Sequence, residues 1–372
     1  MTRVLNVLSD TNIGGAGRVL LNYLRFSDRE QFQTLAVLPR GSLLIPELRA
    51  LDVPVYEAEG LADRSYHRED VRTLKELIAR LEPDIVHTHG SLSGRIAARR
   101  CGRAVVYTRH SVFPVPARLR CPPGRWVNKA VNEHYADHII AVSPAAAENL
   151  TDAGISPKKI TVVMNGVEAV PPEPPEERAR LRRELGLPED AAVFGIFARL
   201  EEYKGHRDLI EAACLLKQRG LDRFRVLIAG TGPQEEALAR EVRERGAEDV
   251  VRLLGFRSDV GALLNILDVQ LNASYGTEAT SIALLEGMSL GLPSIVSDYG
   301  GNPWLVEDGG NGLIFPARDA QALSGCMARL MENPGEREAM SRRAREIFRQ
   351  RFTGEMFARH VEDVYRNVLK GD

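Results

Sequence analysis

Asn165-Gly-Val-Glu-Ala-Val-Pro-Pro-Glu-Pro-Pro-Glu-Glu177 divides the chain. Its four prolines each fix φ and remove a backbone donor, so residues 165–177 read as a linker and not as a helix or strand. On the N-terminal side, short apolar runs at 4–8, 34–38, 85–87, 105–108, 139–142 and 161–163 read as buried strands. Amphipathic stretches at 17–24, 71–81, 94–101 and 144–150 read as helices between them. A second series follows the linker, with strands expected at 193–197, 225–229, 250–254, 269–271 and 294–296. Its helices are expected at 206–220, 233–245, 281–290 and 320–330. Continuous apolar runs separated by helices mark parallel sheets covered on both faces. The expectation is an α/β chain of two Rossmann-like, doubly wound parallel-sheet domains, 1–167 and 168–352, facing a central cleft. In the tail, Met356, Phe357, Val361, Val364, Tyr365 and Val368 recur at helical spacing. Residues 353–372 are therefore expected to form a helix that packs back onto the first domain.

The bulk numbers agree with two domains: 372 residues, 44% hydrophobic and 27% charged. A net charge of −2 gives no reason to expect nucleic acid as a partner. Cys101, Cys121, Cys214 and Cys326 are too far apart for a metal knuckle or redox pair, and read as free thiols of a reducing compartment. No run approaches the ~20 apolar residues of a membrane span, and the first strand lacks a secretory apolar core. A cytoplasmic protein, in peripheral contact with the membrane at most, is expected.

Chemistry concentrates in Tyr275-Gly-Thr-Glu-Ala-Thr-Ser-Ile-Ala-Leu-Leu-Glu-Gly-Met-Ser-Leu-Gly-Leu-Pro293. Glu278 sits in a turn before a helix, and Glu286 lies inside it among Ile282, Ala283, Leu284, Leu285, Met288 and Leu290. A carboxylate in such a run is costly to bury without partners, and vicinal hydroxyls are suitable ones. Between the acids, Ala279, Thr280, Ser281 and Ile282 form the helix start, where outward N–H groups attract phosphate. That order suits a molecule built as sugar, diphosphate and ribose.

Other candidates are weaker alone. Gly14, Gly15 and Gly17 follow the first strand and open a helix, which suits an anion, though a tight turn needs glycine anyway. Arg199 and Lys204 follow the first strand of the second series and could neutralise a diphosphate; Glu201 and Glu202 are the alternative partners. Gly230 and Gly232 end a strand, where either a phosphate contact or the turn itself explains them. His87 and His89 lie at a strand end without a visible third metal ligand, and His110 ends the next strand, placed to orient a hydroxyl. From 91 to 129 there are nine cations and no acid, interleaved with Phe113, prolines and Trp126. This segment suits an anionic, partly apolar surface, or a basic face balanced elsewhere.

Together these motifs resemble the retaining glycosyltransferases of the GT-B fold, family 4, over nearly the whole chain. The resemblance rests on Glu278 and Glu286, the Gly14–Arg18 loop, Arg199 with Lys204-Gly205, Gly230-Thr-Gly232-Pro233, Asn165-Gly166-Val167 and Asn311-Gly-Leu-Ile-Phe-Pro316. It implies a metal-independent hexosyltransferase without cofactor, using a nucleotide-diphosphate sugar, most often UDP-linked, and a hydroxyl acceptor; the basic segment points to a phosphate-bearing lipid as that acceptor. Surface-polysaccharide or glycolipid assembly is the implied setting. By the same resemblance Glu278 holds donor-sugar hydroxyls, Glu286 the ribose, and Arg199, Lys204 and the backbone of 279–282 the diphosphate. Gly14, Gly15 and Gly17 close on the donor, and His110 is the histidine near the reacting sugar. Two departures are Ala279-Thr280-Ser281, where the family often has Gly-Phe-Gly, and Trp304, where it often has Glu. A nucleotide-sugar epimerase or hydrolase is an alternative that needs carboxylate bases around the sugar. A non-catalytic nucleotide-sugar-binding protein is another, which would be expected to lack one of the named charges.

Overall fold

The computed structural model describes residues 1–371. The chain falls into two units, Met1–Val167 with the tail from Phe352, and Glu168–Arg351. In the first, β1 (Thr2–Leu8), β2 (Phe32–Pro39), β3 (Val55–Ala58), β4 (Ile85–His89), β5 (Ala104–Arg109), β6 (His138–Ala141) and β7 (Ile160–Val162) form one sheet ordered β3-β2-β1-β4-β5-β6-β7. All its pairings are parallel. In the second, β8 (Ala192–Phe197), β9 (Phe224–Ala229), β10 (Val251–Gly255), β11 (Val269–Asn272), β12 (Ser294–Ser297) and β13 (Gly312–Phe315) form a parallel sheet ordered β10-β9-β8-β11-β12-β13. The two expected Rossmann-like sheets are present.

Each sheet winds outward from its first strand, then restarts on that strand's other side. The order reverses between β1 and β4 and between β8 and β11. At such a switch point the loops leaving the two strands splay apart, which makes a crevice beyond their carboxyl ends. The strands beside it are buried on both faces; Val4, Leu5, Val7 and Leu8 have no exposure.

The tail forms a helix, Gly354–Lys370, capped by Thr353. It packs on the helix Gly15–Phe26 because Gly354 has no side chain: a Cβ there would lie 2.2 Å from the Phe26 ring. Asp28 N–H donates to Glu362 across this contact (2.7 Å), and the Tyr23 and Tyr365 rings meet edge to face at 6.2 Å. Asp372, part of the expected 353–372 segment, lies outside the described residues.

Some elements differ from expectation. The stretch 165–177 is not all linker, because the helix Pro175–Glu184 starts within it. Pro175 serves in the first turn, where no N–H is needed, and Glu176 and Glu177 suit the positive end of the helix. The four-residue strands β3 and β13 join the sheet edges, and the helix Gly124–His134 occupies the basic segment.

Candidate active site

Lys204 ends a 3-10 turn, Glu202–Lys204, in the loop after β8. The next residue, Gly205, has φ +72°, and a Cβ there would lie 2.1 Å from the Ala273 carbonyl oxygen. Only glycine lets this loop sit against the end of β11. The consequence is a buried ion pair. Lys204 Nζ donates to Glu278 Oε2 at 2.7 Å, with the Glu278 side chain 6% exposed. Asn272 Nδ2 and Ser274 Oγ donate to the same oxygen, each at 3.1 Å. Asn272 Oδ1 in turn accepts from the Ser274 N–H (3.0 Å), and Asn302 Nδ2 donates to Ser297 Oγ (3.0 Å). Ser297 Oγ donates to the Ser274 carbonyl. Burial pushes the Glu278 carboxyl up, but the Lys204 charge and the bonds from Lys204, Asn272 and Ser274 outweigh it. The group stays below the ordinary carboxyl value and is ionised at neutral pH. Gly301 completes the seat, since a Cβ there would lie 1.7 Å from the Ala279 carbonyl oxygen.

Three residues beyond Glu278, Ser281 caps the helix Ile282–Leu290, its Oγ accepting from the Leu284 N–H at 3.4 Å. Ala279 is buried, while Thr280, Ser281 and Ile282 are half-buried. Glu286 is half-buried as well, on the side of the helix away from Leu284, Leu285 and Met288. The helical turn, not adjacency in sequence, decides which side chain faces the core, and the deeply buried acid is Glu278.

Arg199 does not join the pair. Its side chain is 69% exposed, donates to the Tyr203 hydroxyl (3.0 Å) and lies 3.6 Å from Glu201. Gly230 and Gly232 pack against the backbone of the same loop; their Cβ positions fall 2.0 Å from the Ala198 oxygen and 2.6 Å from the Leu200 oxygen. Both therefore have a steric reason to be glycine.

In the first unit the glycines divide. Gly17 faces Leu44 at 3.3 Å, a packing reason, whereas a Cβ on Gly15 would meet nothing within 4 Å. Gly14 is the residue preceding the helix, and its Cβ position is 3.3 Å from Asp10 Oδ2. Across the switch point the structure gathers three histidines. His89 lies between Asn6 Oδ1 (3.0 Å, through Nε2) and His110 Nε2 (2.8 Å, through Nδ1). His87 stacks on His89 with 4.4 Å between centroids and bonds the Tyr365 hydroxyl (2.7 Å) and Thr108 Oγ1 (2.6 Å). Burial lowers all three: His87 to about 3, with His110 adding repulsion; His110 to about 4, with Arg109 adding; and His89 well below its ordinary value. At neutral pH the cluster carries no charge. Among the described residues no group of three or more His, Cys, Asp or Glu is arranged to hold a metal ion.

Of the nine cations in the basic segment, Arg100 is exposed, and the other eight form two populations. Arg95 is buried against the Tyr107 ring (4.3 Å) and donates to Asn132 (2.9 Å). Arg99 pairs with Asp137 (2.7 Å), Arg103 lies 3.9 Å from Glu82, and Arg109 donates to Asn149 (3.1 Å). Arg118, Arg120, Arg125 and Lys129 instead lie on or beside two helices, Ala117–Arg120 and Gly124–His134, neither of which buries a residue.

Sequence reading missed Asn6, Asn272, Ser274, Ser297 and Asn302. Asn6 carried a signal: it is a polar residue inside an apolar strand, which must find a partner when buried; Asn272 is the last residue of β11, one beyond the expected strand.

Comparisons with known proteins give the family. Residues 13–170 match the family described as Glycosyltransferase Family 4, and residues 177–347 match Glycosyl transferases group 1. The chain is 29% identical over 316 residues to EpsD of Bacillus subtilis, covering 81% of each. It is 28% identical over 364 residues to the D-inositol 3-phosphate glycosyltransferase of Kribbella flavida, covering 91% of this chain and 85% of that one. The Anabaena HepE structure in complex with UDP-glucose superposes with TM-score 0.86 at 22% identity, covering 99% of this chain and all of that one. With matches over both units and a shared GT-B fold, the chain belongs to family 4 of the retaining glycosyltransferases.

Proposed function

We propose that this glycosyltransferase moves a hexose from a UDP-sugar to a hydroxyl of a lipid-linked acceptor in surface-polysaccharide or glycolipid assembly. The observation that carries the donor reading is the Lys204–Glu278 pair at the β8/β11 switch point, beside the capped start of the helix Ile282–Leu290. Glu278 holds donor-sugar hydroxyls through Oε1, since the three bonds from Lys204, Asn272 and Ser274 all fall on Oε2. Glu286 takes the ribose. Lys204, Arg199 and the N–H groups of 279–282 stabilise the diphosphate, which gains charge as its bond to the anomeric carbon breaks. Arg199 can turn from Tyr203 to the ligand because its side chain is exposed. Gly230 and Gly232 shape the loop beside it. The acceptor oxygen bonds to the anomeric carbon on the face the phosphate leaves, and its proton passes to the departing phosphate oxygen. By the family resemblance, His110 and the Gly14, Gly15 and Gly17 loop also contact substrate. UDP-glucose in the HepE complex supports the choice of nucleotide. Incubation with a panel of nucleotide sugars tests the reading. Transfer needs an acceptor, an epimerase or hydrolase converts the donor alone, and a binding protein converts nothing.

The lipid side rests on the helices Ala117–Arg120 and Gly124–His134. Phe113, Trp126 and Val127 are 46%, 66% and 61% exposed, beside Arg118, Arg120, Arg125 and Lys129. Apolar side chains among cations suit peripheral contact with an anionic bilayer at the cytoplasmic face. This narrows the surface from 91–129 to about its last seventeen residues, 113–129, because Arg95, Arg99, Arg103 and Arg109 are engaged within the unit. No described helix is long and apolar enough to cross the membrane. Co-sedimentation at low salt should favour anionic over neutral vesicles; equal binding to both overturns the membrane reading.

A further inference from the structure

Asn6 is a polar residue with no exposure, in the middle of β1, flanked by Leu5 and Val7 that are fully buried too. Its register partner on β4 is His87, so its side chain reaches His89 one pleat further along the same face. Asn6 Oδ1 has no hydrogen to give. The bond at 3.0 Å therefore requires His89 Nε2 to donate. A neutral imidazole has one N–H, so His89 Nδ1 is bare and must accept the proton offered by His110 Nε2 at 2.8 Å. His110 has then spent its own N–H, and its Nδ1 carries a lone pair. His87 imposes no direction of its own, because both its partners are hydroxyls that donate or accept.

We infer that Asn6 is a positioning residue that sets the tautomer of His110 through His89, presenting His110 Nδ1 as a hydrogen-bond acceptor for a substrate hydroxyl. The ligand chemistry follows: a group that donates at this point, such as a sugar or acceptor O–H, fits, and a carboxylate or phosphate oxygen does not. The suppressed basicity of the cluster keeps the relay neutral, so the polarity is retained at neutral pH. That His110 meets the substrate rests on the proposed function; the tautomer itself does not.

Nitrogen-15 NMR of histidine-labelled, ligand-free protein reads it directly. At pH 7, His110 should show an unprotonated Nδ1 and a protonated Nε2 as a single tautomer, with His89 the same way round. In Asn6→Leu the His89 and His110 signals should shift toward a tautomer mixture, whereas Asn6→Asp, whose carboxylate raises the basicity of His89, should protonate His89 and turn the His110 tautomer round. A residue that only filled space would leave these signals unchanged. The opposite amide orientation would put Nδ2 against His89 and reverse every donor, so a protonated His110 Nδ1 in the unaltered protein overturns the proposal whether or not either variant folds. If the tautomer is as stated while His110→Phe transfers sugar at the normal rate, the relay stands and the placement of substrate at His110 fails.

Discussion

The two switch points hold opposite solutions to the same problem. Each buries polar side chains at the carboxyl ends of the central strands of a parallel sheet. Between β1 and β4 the group is three histidines, an asparagine and hydroxyls, closed over by Tyr365 and kept neutral by burial. Between β8 and β11 it is a lysine and a glutamate, kept ionised by each other and by two further donors. A neutral relay orients hydroxyls without charge, whereas a preorganised ion pair meets the charge that develops when a glycosyl phosphate bond breaks.

Removing Lys204 attacks the charged side most directly. Lys204→Ala should lower kcat by about 10²–10³, the loss of one preorganised electrostatic contact, or ~2.7–4 kcal/mol. It also strands Glu278 as a buried charge, so stability should fall by about 3–5 kcal/mol. Adding Glu278→Gln removes the stranded charge and should recover much of the melting temperature without recovering turnover. If both return together in the double variant, the pair is structural and the catalytic assignment is wrong.

Acid should separate the two regions. The folded histidines bind protons far less readily than their ordinary value of 6.5, His110 near 4 and His87 near 3. From pH 6.5 down toward 4 the unfolded chain therefore takes up protons that the native chain refuses. Stability is full above 6.5 and falls on acidification, by up to about 1.4 kcal/mol per pH unit for each histidine. Glu278 behaves otherwise: its folded value is depressed below 4.5, so its contribution persists through this window and is lost only at lower pH. Calorimetry at intervals from pH 7 to 5 should show the loss, and His89→Gln should flatten the slope. An unchanged slope in that variant would contradict the neutral-cluster description.

Glu286→Gln is gentler. The side chain is half-buried, so the fold should hold, while loss of a charged hydrogen-bond partner to the ribose should cost about 1.5–3 kcal/mol in kcat/KM, read as roughly 10–100-fold. Unaltered kinetics with UDP-sugar would remove Glu286 from the donor site and leave Glu278 as the sole acid of that pair.

The sheets were legible because their apolar runs are long enough to show the alternation of strand and helix. The short edge strands β3 and β13 gave four residues each, too few for a period, and the helix Pro334–Arg351 is charged along most of its length. At the site, what sequence could state was chemical type. It could not state that Asn272, Ser274 and Lys204 converge on one oxygen of Glu278, since Lys204 is 74 positions away and the contact depends on Gly205 admitting a backbone approach. Nor could sequence state how deeply each of the two glutamates is buried. Apolar neighbours in the chain surround a helical position on all sides, and only the packed face decides burial, so Glu286 is half-buried while Glu278, in a turn, is enclosed.

The smallest expected effect tests whether the neutral unit also touches the donor. Gly15 and Gly17 look alike in sequence, yet only Gly17 has a neighbour that explains it. In Gly15→Ala the new methyl meets open space, so stability should change by no more than about 0.4–1 kcal/mol, in the stabilising direction. Gly17→Ala presses on Leu44 at 3.3 Å and should be mildly destabilising. If Gly15 is glycine because a diphosphate oxygen approaches its backbone, Gly15→Ala should raise KM for the UDP-sugar several-fold while the melting temperature holds or rises. A variant that gains stability and keeps its KM would show that this loop needs Gly15 for neither fold nor donor.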